Sequence, residues 1–327
     1  MSAALQELTP TAEEWDALVA RAPGATFYHT RAWAEVLQHT FGYQAQPRLF
    51  AFDDGTTVLL PAVKVGRSAW WRDMRAVPSG YGAPISSRPL TETQHRPLWR
   101  AITKPCRTRS VLSVRFGPRT DGAWPDLGHS RGVRGRQRTD FTHAIDLRGG
   151  FEPLWLKFGQ SVRRYHGRGS RDGLNVRYSS SAADVDRFYA AYDYNTRAWP
   201  AHERKPLALF RNLATLAPGA ARIWLVEDAA GATLAGAIAV EFGDSVHFWA
   251  GARDARLDRQ HANLLLFPEI IRDACERGFA WFDFGSSQGL SHVQSFKEQF
   301  RPQQFDYPVW TFEGPLAGTL RRLRRAA

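Results

Sequence analysis

The chain is short of four things, and each scarcity narrows what it can be. It holds two cysteines in 327 residues, Cys106 and Cys275. They lie far apart and outside any CxxC or metal-ligand spacing, so reduced thiols are expected rather than a disulfide framework or a metal site. No apolar run approaches the ~20 residues that a membrane span requires. The opening stretch, MSAALQELTPTAEEW, carries neither the basic nor the apolar segment of a secretory signal. A cytoplasmic protein without a membrane span is the expectation. No Cys-His or Ser-His pair stands at a recognised spacing, so no covalent nucleophile is legible. Lysine is scarce as well: five of the 43 basic residues, against 38 arginines. The place of a lysine therefore carries more information than the place of an arginine.

What is present points to two packed domains of roughly 150 residues each. Hydrophobic residues make up 43% of the chain, with 12 Trp and 20 Phe to fill cores. The formal net charge is +11, which raises the local concentration of polyanions. Ten basic residues fall between Arg100 and Arg138, among them Arg131, Arg134, Arg136 and Arg138, against the two acids Asp121 and Asp126. Arg163, Arg164, Arg168, Arg171 and Arg177 form a second group, and Arg321, Arg322, Arg324 and Arg325 a third. Solvated loops and tail are one reading; contact with a phosphate backbone, centred on Arg163, Arg164, Arg168, Arg134 and Arg136, is the other.

Thr11 and Glu14 have the capping-box spacing and open a helix with Trp15, Leu18 and Val19 inward; Thr30 opens another with Trp33, Val36 and Leu37 inward. RLFAFDDGTTVLLPAVKV predicts two strands around an Asp-Gly turn. Trp70 and Trp71 precede a loop over 78–84, where Gly80 and Gly82 allow a tight bend around Tyr81; a buried tyrosine and a substrate contact both fit. A helix near 97–104, a strand over 111–116, an arginine-rich loop over 117–138 and a strand over 139–147 complete a first domain, 1–148, with 149–327 as the second. There, Trp155 and Phe158 anchor a helix with Arg163, Arg164, His166 and Arg168 outward. Leu174 begins a strand and Asp184 a helix whose Phe188, Tyr189 and Tyr192 read as core. A helix near 206–216 and strands over 222–227, 234–242 and 245–251 follow. Alternation puts Val246, Phe248 and Ala250 on one face of the last strand and His247, Trp249 and Gly251 on the other; His247 and Trp249 are candidates to line a cleft.

The chain is organised around residues 278–300, GFAWFDFGSSQGLSHVQSFKEQF. An aromatic strand ends at Asp283, a polar loop follows with Ser286 and Ser287, and a helix carries Phe296 and Lys297. In open α/β sheets ligands lie beyond the carboxyl ends of strands, so this loop is the first place to look for chemistry. Asp283 is read either as a group that orients or deprotonates an amine or as a cap on its own loop.

FDFG followed by SFK resembles the C-terminal signature of FemAB/FemX-like proteins, aminoacyl-tRNA-dependent peptidyltransferases built from two GNAT-type acyltransferase folds. TFYHTRAWAEVLQHTFGY is similar to that family's opening helix, VPSGYGAPIS to the loop after its first hairpin, and LWLKFGQSVRRYHGRGSRDGLNVRY to the basic helix of its second half. The resemblance implies an α/β fold of tandem GNAT-like domains, each a mixed sheet flanked by helices. It implies aminoacyl transfer from charged tRNA to an amine, with Phe296 and Lys297 as the family's Phe-Lys pair facing the ester carbonyl or the terminal phosphate. Strand, hairpin, strand, helix and strand in the second half is also the GNAT order.

An acyl-CoA enzyme of this fold needs a glycine-rich turn for the pyrophosphate. Here the segment after Gly251 runs Arg253, Asp254, Ala255, Arg256, Leu257, Asp258, Arg259, Gln260, His261, Ala262, without glycine, which favours the tRNA donor. Two departures from the family set the acceptor apart: residues 35–38 hold no lysine, and no long heptad segment exists for a helical arm. A small biosynthetic amine is thus as open an acceptor as a cell-wall precursor. No cofactor or metal is expected; aminoacyl-tRNA is a co-substrate and the chain a monomer. An acyl-CoA N-acyltransferase and a non-catalytic RNA-binding protein on the same scaffold are the alternatives.

Overall fold

In the computed structural model, residues 4–65, 72–76, 80–108, 110–118, 129–130, 133–200, 203–257, 261–287, 289–316 and 319 are described. Trp70, Trp71, Arg109, Arg119, Asp121, Asp126, Arg131 and the terminal arginines lie outside them.

From the N-terminus the elements are β1 (Leu5–Leu8), α1 (Ala12–Arg21), α2 (Arg31–Phe41), β2 (Gln44–Ala45), β3 (Arg48–Phe52), β4 (Thr57–Leu60), β5 (Ala62–Val65), β6 (Arg72–Ala76), β7 (Ile85–Ser86), α3 (Glu92–Thr103), β8 (Ser110–Arg115), β9 (His129–Ser130) and β10 (Val133–Asp146). Next come α4 (Phe151–Lys157), α5 (Gln160–Arg171), β11 (Asn175–Ser179), α6 (Ala182–Thr196), α7 (Leu207–Leu216), β12 (Ala221–Glu227), β13 (Thr233–Phe242), β14 (Ser245–Arg253), α8 (Asn263–Glu276), β15 (Trp281–Ser286), α9 (Ser291–Glu298) and β16 (Gln303–Glu313).

Two compact units result: Met1–Asp140 with Asp306–Ala327, and Phe141–Phe305. The chain leaves the first unit inside β10 and re-enters it inside β16. The expected division at 148/149 thus falls within the second unit, and the closing strand belongs to the first because residues 309–313 pair with β8.

In the first unit the capping box is formed: Glu14 N–H donates to Thr11 Oγ1 over 3.2 Å, and Thr11 N–H to Glu14 Oε2 over 2.8 Å. The predicted hairpin becomes three strands rather than two. Pro61 has no N–H for a ladder, and the chain breaks there: β4 joins a sheet ordered β1-β3-β4-β7, while β5 joins one ordered β2-β5-β6-β8-β16. Between them lies a core that includes Phe50, Leu60, Leu98, Trp99, Leu112, Trp310 and Phe312. Thr91 and Gln94 start α3 earlier than expected, with Pro97 inside it, and the expected loop over 117–138 gives way to strand from Val133, where β10 pairs with β9. Arg134 and Arg136 therefore stand on a strand.

Tyr81 is buried in this unit, edge-on to Tyr28 at 6.2 Å and to Tyr307 at 5.3 Å. Gly80 is needed for close approach: a Cβ there would lie 2.2 Å from the Tyr28 ring. His29 ties the same loop down. Its Nδ1 accepts from the Thr26 N–H at 3.0 Å and its Nε2 lies 3.0 Å from the Ala83 carbonyl, so the neutral ring with its proton on Nε2 satisfies both partners.

The second unit is a six-stranded sheet, β11-β12-β13-β14-β15-β10, in which β14 and β15 are parallel and the other pairs antiparallel. One face is covered by α5 and α8, whose close approach is set at Gly169, where a Cβ would lie 3.0 Å from Leu265. The other face carries α6 and α7. There Phe188 lies over Gly236, and Phe188, Tyr189 and Tyr192 surround Phe210; Phe188 and Tyr192 are core, whereas Tyr189 is half-buried.

Two outcomes are expected. Gly80→Ala forces the Tyr28 ring aside and lowers stability by about 1–3 kcal/mol in denaturant titration. Burial lowers the His29 pKa to about 4 against an unfolded value near 6.5. A depressed pKa contributes stability above the unfolded value that is lost as pH falls through the folded one. The first unit should therefore lose roughly 3 kcal/mol between pH 6.5 and 4, and His29→Gln should flatten that part of the stability-pH curve.

Candidate active site at the end of strand β15

Strands β14 and β15 pair over only Ser245–His247 with Trp281–Asp283, although β14 runs on to Arg253 and β15 to Ser286. Beyond His247 and Asp283 the pairing ends, opening the sheet at the carboxyl ends of two parallel strands. Two bulges shape this opening. On β14, Ala239 pairs with Phe248 and Ile238 with Ala250, leaving Trp249 as the extra residue. The expected alternation therefore breaks at Trp249: Gly251 falls on the Phe248 face, where a Cβ would lie 2.7 Å from the Phe248 ring, and Trp249 packs edge-on against Phe210 of α7 at 5.5 Å.

On β15, Ala144 of β10 pairs with Asp283 and Thr142 with Ser286, so Phe284 and Gly285 together oppose His143. Gly285 takes the left-handed conformation, φ +70°, and a Cβ on it would stand 2.9 Å from His247 Nε2. Glycine suits this position on both counts. The bulge presents the Gly285 carbonyl to Lys297, whose Nζ donates to it over 2.7 Å. Lys297 is buried, at 2% exposure, and is not a surface lysine of an amphipathic helix. Phe296 packs on Phe267 and Phe300 at 5.1 and 5.4 Å, which holds α9 against β15.

Asp283 is buried beside His247. Its Oδ1 accepts from Thr142 Oγ1 at 2.5 Å and from the Gly285 N–H at 2.8 Å, so it does cap its own loop. Sequence reasoning misses Thr142 and His143, although a Thr-His pair inside an apolar strand is a legible signal. His143 is buried, and its Nδ1 has no hydrogen-bond partner. Burial first, and then the Lys297 charge, lower its pKa, opposed by Glu298 and Asp283. Ser287 is also buried with its Oγ unpartnered. Two orphaned buried polar atoms beside one loop call for an explanation, and a bound ligand supplies one.

The other expected residues lie apart from this cluster. Tyr81, Arg134 and Arg136 belong to the first unit; Arg136 pairs with Glu313 at 3.2 Å. Arg163 donates to the Leu156 and Phe158 carbonyls at the end of α4, and Arg168 pairs with Asp172. Arg164 lies over the Tyr165 ring, itself 4.3 Å from the His261 ring before α8. His166 is not on an outer face: it bonds Glu269 of α8 at 2.7 Å. In the turn after β14, Asp254 is buried and its carboxylate accepts from the backbone and guanidinium of Arg256; that guanidinium holds Asp254 below the usual carboxylate range. Asp258, Arg259 and Gln260 of the same turn lie outside the described residues. Among the described residues no group of three or more His, Cys, Asp or Glu is placed to hold a metal ion, and no helix is long and apolar enough to cross a membrane.

Residues 157–297 match the family model of the acetyltransferase (GNAT) domain. The structure of FemX superposes with a TM-score of 0.71 over 93% of this chain and 96% of its own, at 11% identity. The chain has the FemX-like tandem GNAT fold. A tandem GNAT protein from the clavulanic acid biosynthesis pathway superposes with a TM-score of 0.59 over 95% of this chain and 98% of its own, at 11% identity. L-PGS from Bacillus licheniformis gives 0.52 over 85% and 90%, at 14% identity. No curated protein matches the sequence. The second unit has the GNAT fold, and β14 and β15 part at the carboxyl ends of its two parallel strands.

Because the Lys297 charge depresses His143, Lys297→Met should raise the midpoint of the His143 ring in a histidine NMR titration, whereas Lys297→Arg, which keeps the charge, should leave it lowered. An unmoved midpoint in Lys297→Met would place the ammonium too far away to act on the ring.

Proposed function

We propose that this protein is an aminoacyl-tRNA-dependent aminoacyltransferase that forms an amide between the amino acid of a charged tRNA and an amine acceptor. The observation that carries the reading is the turn between β14 and α8. A pyrophosphate there needs unoccupied backbone N–H groups and a favourable field. Instead the buried Asp254 carboxylate already occupies the Arg256 N–H and puts a fixed negative charge in the turn. That arrangement opposes an acyl-CoA pyrophosphate and leaves a donor held elsewhere through its own phosphates, with Arg164 and His261 at the neighbouring helix ends suited to it.

The transfer needs positioning, removal of protons from the attacking ammonium, and stabilisation of an oxyanion. The donor's ester C–O bond breaks as the C–N bond forms. The ammonium loses two protons: one ends on the released ribose hydroxyl and the other leaves to solvent. Lys297 supplies a cation in a water-poor place for the oxygen that turns negative, and Ser287 Oγ offers a hydroxyl on the same loop. Asp283 and His247, paired on the opposite face of the strand end, receive the amine. Thr142 and the Gly285 N–H fix the Asp283 carboxylate, so it is preorganised for that task.

The test is transfer of label from a set of charged tRNAs into RNase-resistant product in the presence of a cell extract. Lys297→Ala, shown by circular dichroism to be folded at the assay temperature, should lower the rate by about 10² to 10³, and Lys297→Arg should recover only part, since a planar fork does not occupy the place of a compact ammonium. Transfer from acetyl-CoA with none from any charged tRNA would replace the reading with the acyl-CoA one. Near-normal transfer by Lys297→Ala would remove Lys297 from the site.

A further inference from the structure

A second of the five lysines is held in an unusual place. Lys205 lies just before α7, and its Nζ stands over the ring of Trp249, 5.4 Å from the centroid. Its backbone N–H donates to the Tyr192 hydroxyl over 3.1 Å, and Phe210 packs against both Tyr192 and Trp249. The ammonium thus rests on one ring of an aromatic group, yet among the described residues it has no ion pair and no hydrogen bond. Of the acids on neighbouring elements, Asp193 pairs with Arg204 and Arg197, and Asp254 with Arg256. An ammonium withdrawn from water without a counter-charge is costly, and a cation–π contact offsets only part of that cost. Desolvation accordingly lowers the Lys205 pKa.

The placement ties Lys205 to the strand end described above. Trp249 is the bulged residue of β14, turned by the bulge toward α7, two residues beyond His247 and the His247–Asp283 pair. At ~3.3 Å per strand residue Trp249 stands about 7 Å along β14 from His247, it packs on Phe210 of α7, and Lys205 rests on its ring. We propose that Lys205, resting on Trp249, binds an anionic group of the acceptor, so that the acceptor is an amino acid whose carboxylate is separated from its reacting amine by several bonds. This rests on the acyl-transfer reading of the cleft and adds the class of acceptor. A carboxylate reaching the ammonium pairs with it and supplies the counter-charge it lacks.

The probe is a series of ω-amino acids, from glycine to 6-aminohexanoate, each beside its methyl ester. With five lysines in the chain, lysine side-chain NMR on protein labelled at Cε and Nζ resolves Lys205 without requiring turnover, and Lys205→Arg assigns it. Lys205 should titrate below the exposed lysines. The fitting ω-amino acid should raise its midpoint, because a bound anion favours the charged form, and the ester should not. In transfer assays with charged tRNA, Lys205→Met should raise the acceptor KM on the order of 10- to 100-fold and abolish the preference for acid over ester, with Lys205→Arg recovering part. Midpoints unmoved by every acid, or an acid preference intact in Lys205→Met, would overturn the proposal even if transfer from tRNA is seen. Midpoints that move while no charged tRNA serves as donor would support anion binding at Lys205 and refute the donor. Circular dichroism on each variant separates loss of fold from loss of recognition.

Discussion

The bond between a buried ammonium, Lys297, and the Gly285 carbonyl ties α9 to the end of β15. Lys297 could not be withdrawn from water without an acceptor, and a regular strand would direct its carbonyl into the ladder. The two-residue bulge at Phe284 and Gly285 removes that constraint, and the left-handed φ of Gly285 turns the carbonyl toward α9. Much follows from this one bond. It anchors the last turn of α9, where Phe296 and Phe300 reach Phe267. It sets the charge that acts on His143. It also keeps position 285 without a side chain, leaving His247 its place beside the strand end.

The end of β15 places different groups on the two faces of one sheet. On the face of α8 and α9 stand Lys297 and His143; on the face of α6 and α7 stand Asp283, His247, Trp249 and Lys205. In the proposed reaction the first face takes the donor oxygen that turns negative and the second takes the amine with its carboxylate. Each face is shaped by a bulge: one delivers the Gly285 carbonyl to the Lys297 ammonium, the other sends Trp249 toward α7.

Much of this was legible before any coordinate. The Thr11 capping box, the inward faces of α1 and α2, the aromatic core of α6 and the strand-loop-helix of residues 278–300 follow from spacing alone, because each is a local pattern. What spacing does not carry is pairing. Pro61 marks a break but not that β4 and β5 enter different sheets. Alternation along residues 245–251 is right up to Trp249 and fails there, since a bulge depends on the partner strand. Thr142 meets Asp283 across 141 positions of sequence. Lys205 was visible as a rare residue, but only the fold places Trp249 beneath it. Arginine was the least legible type: Arg163 and Arg168 turn out to serve a helix end and an ion pair.

The return of β16 to the first unit has a consequence for biosynthesis. Residues 1–140 leave the ribosome without Trp310 and Phe312 of their own core and without Tyr307 beside Tyr81. Until residues 309–313 are made, the β8 edge they will cover stays open. Residues 141–305 are contiguous and complete earlier. The unit translated first is therefore the one that closes last, and through the long interval its exposed strand edge is the part of the nascent chain most in need of protection from other chains.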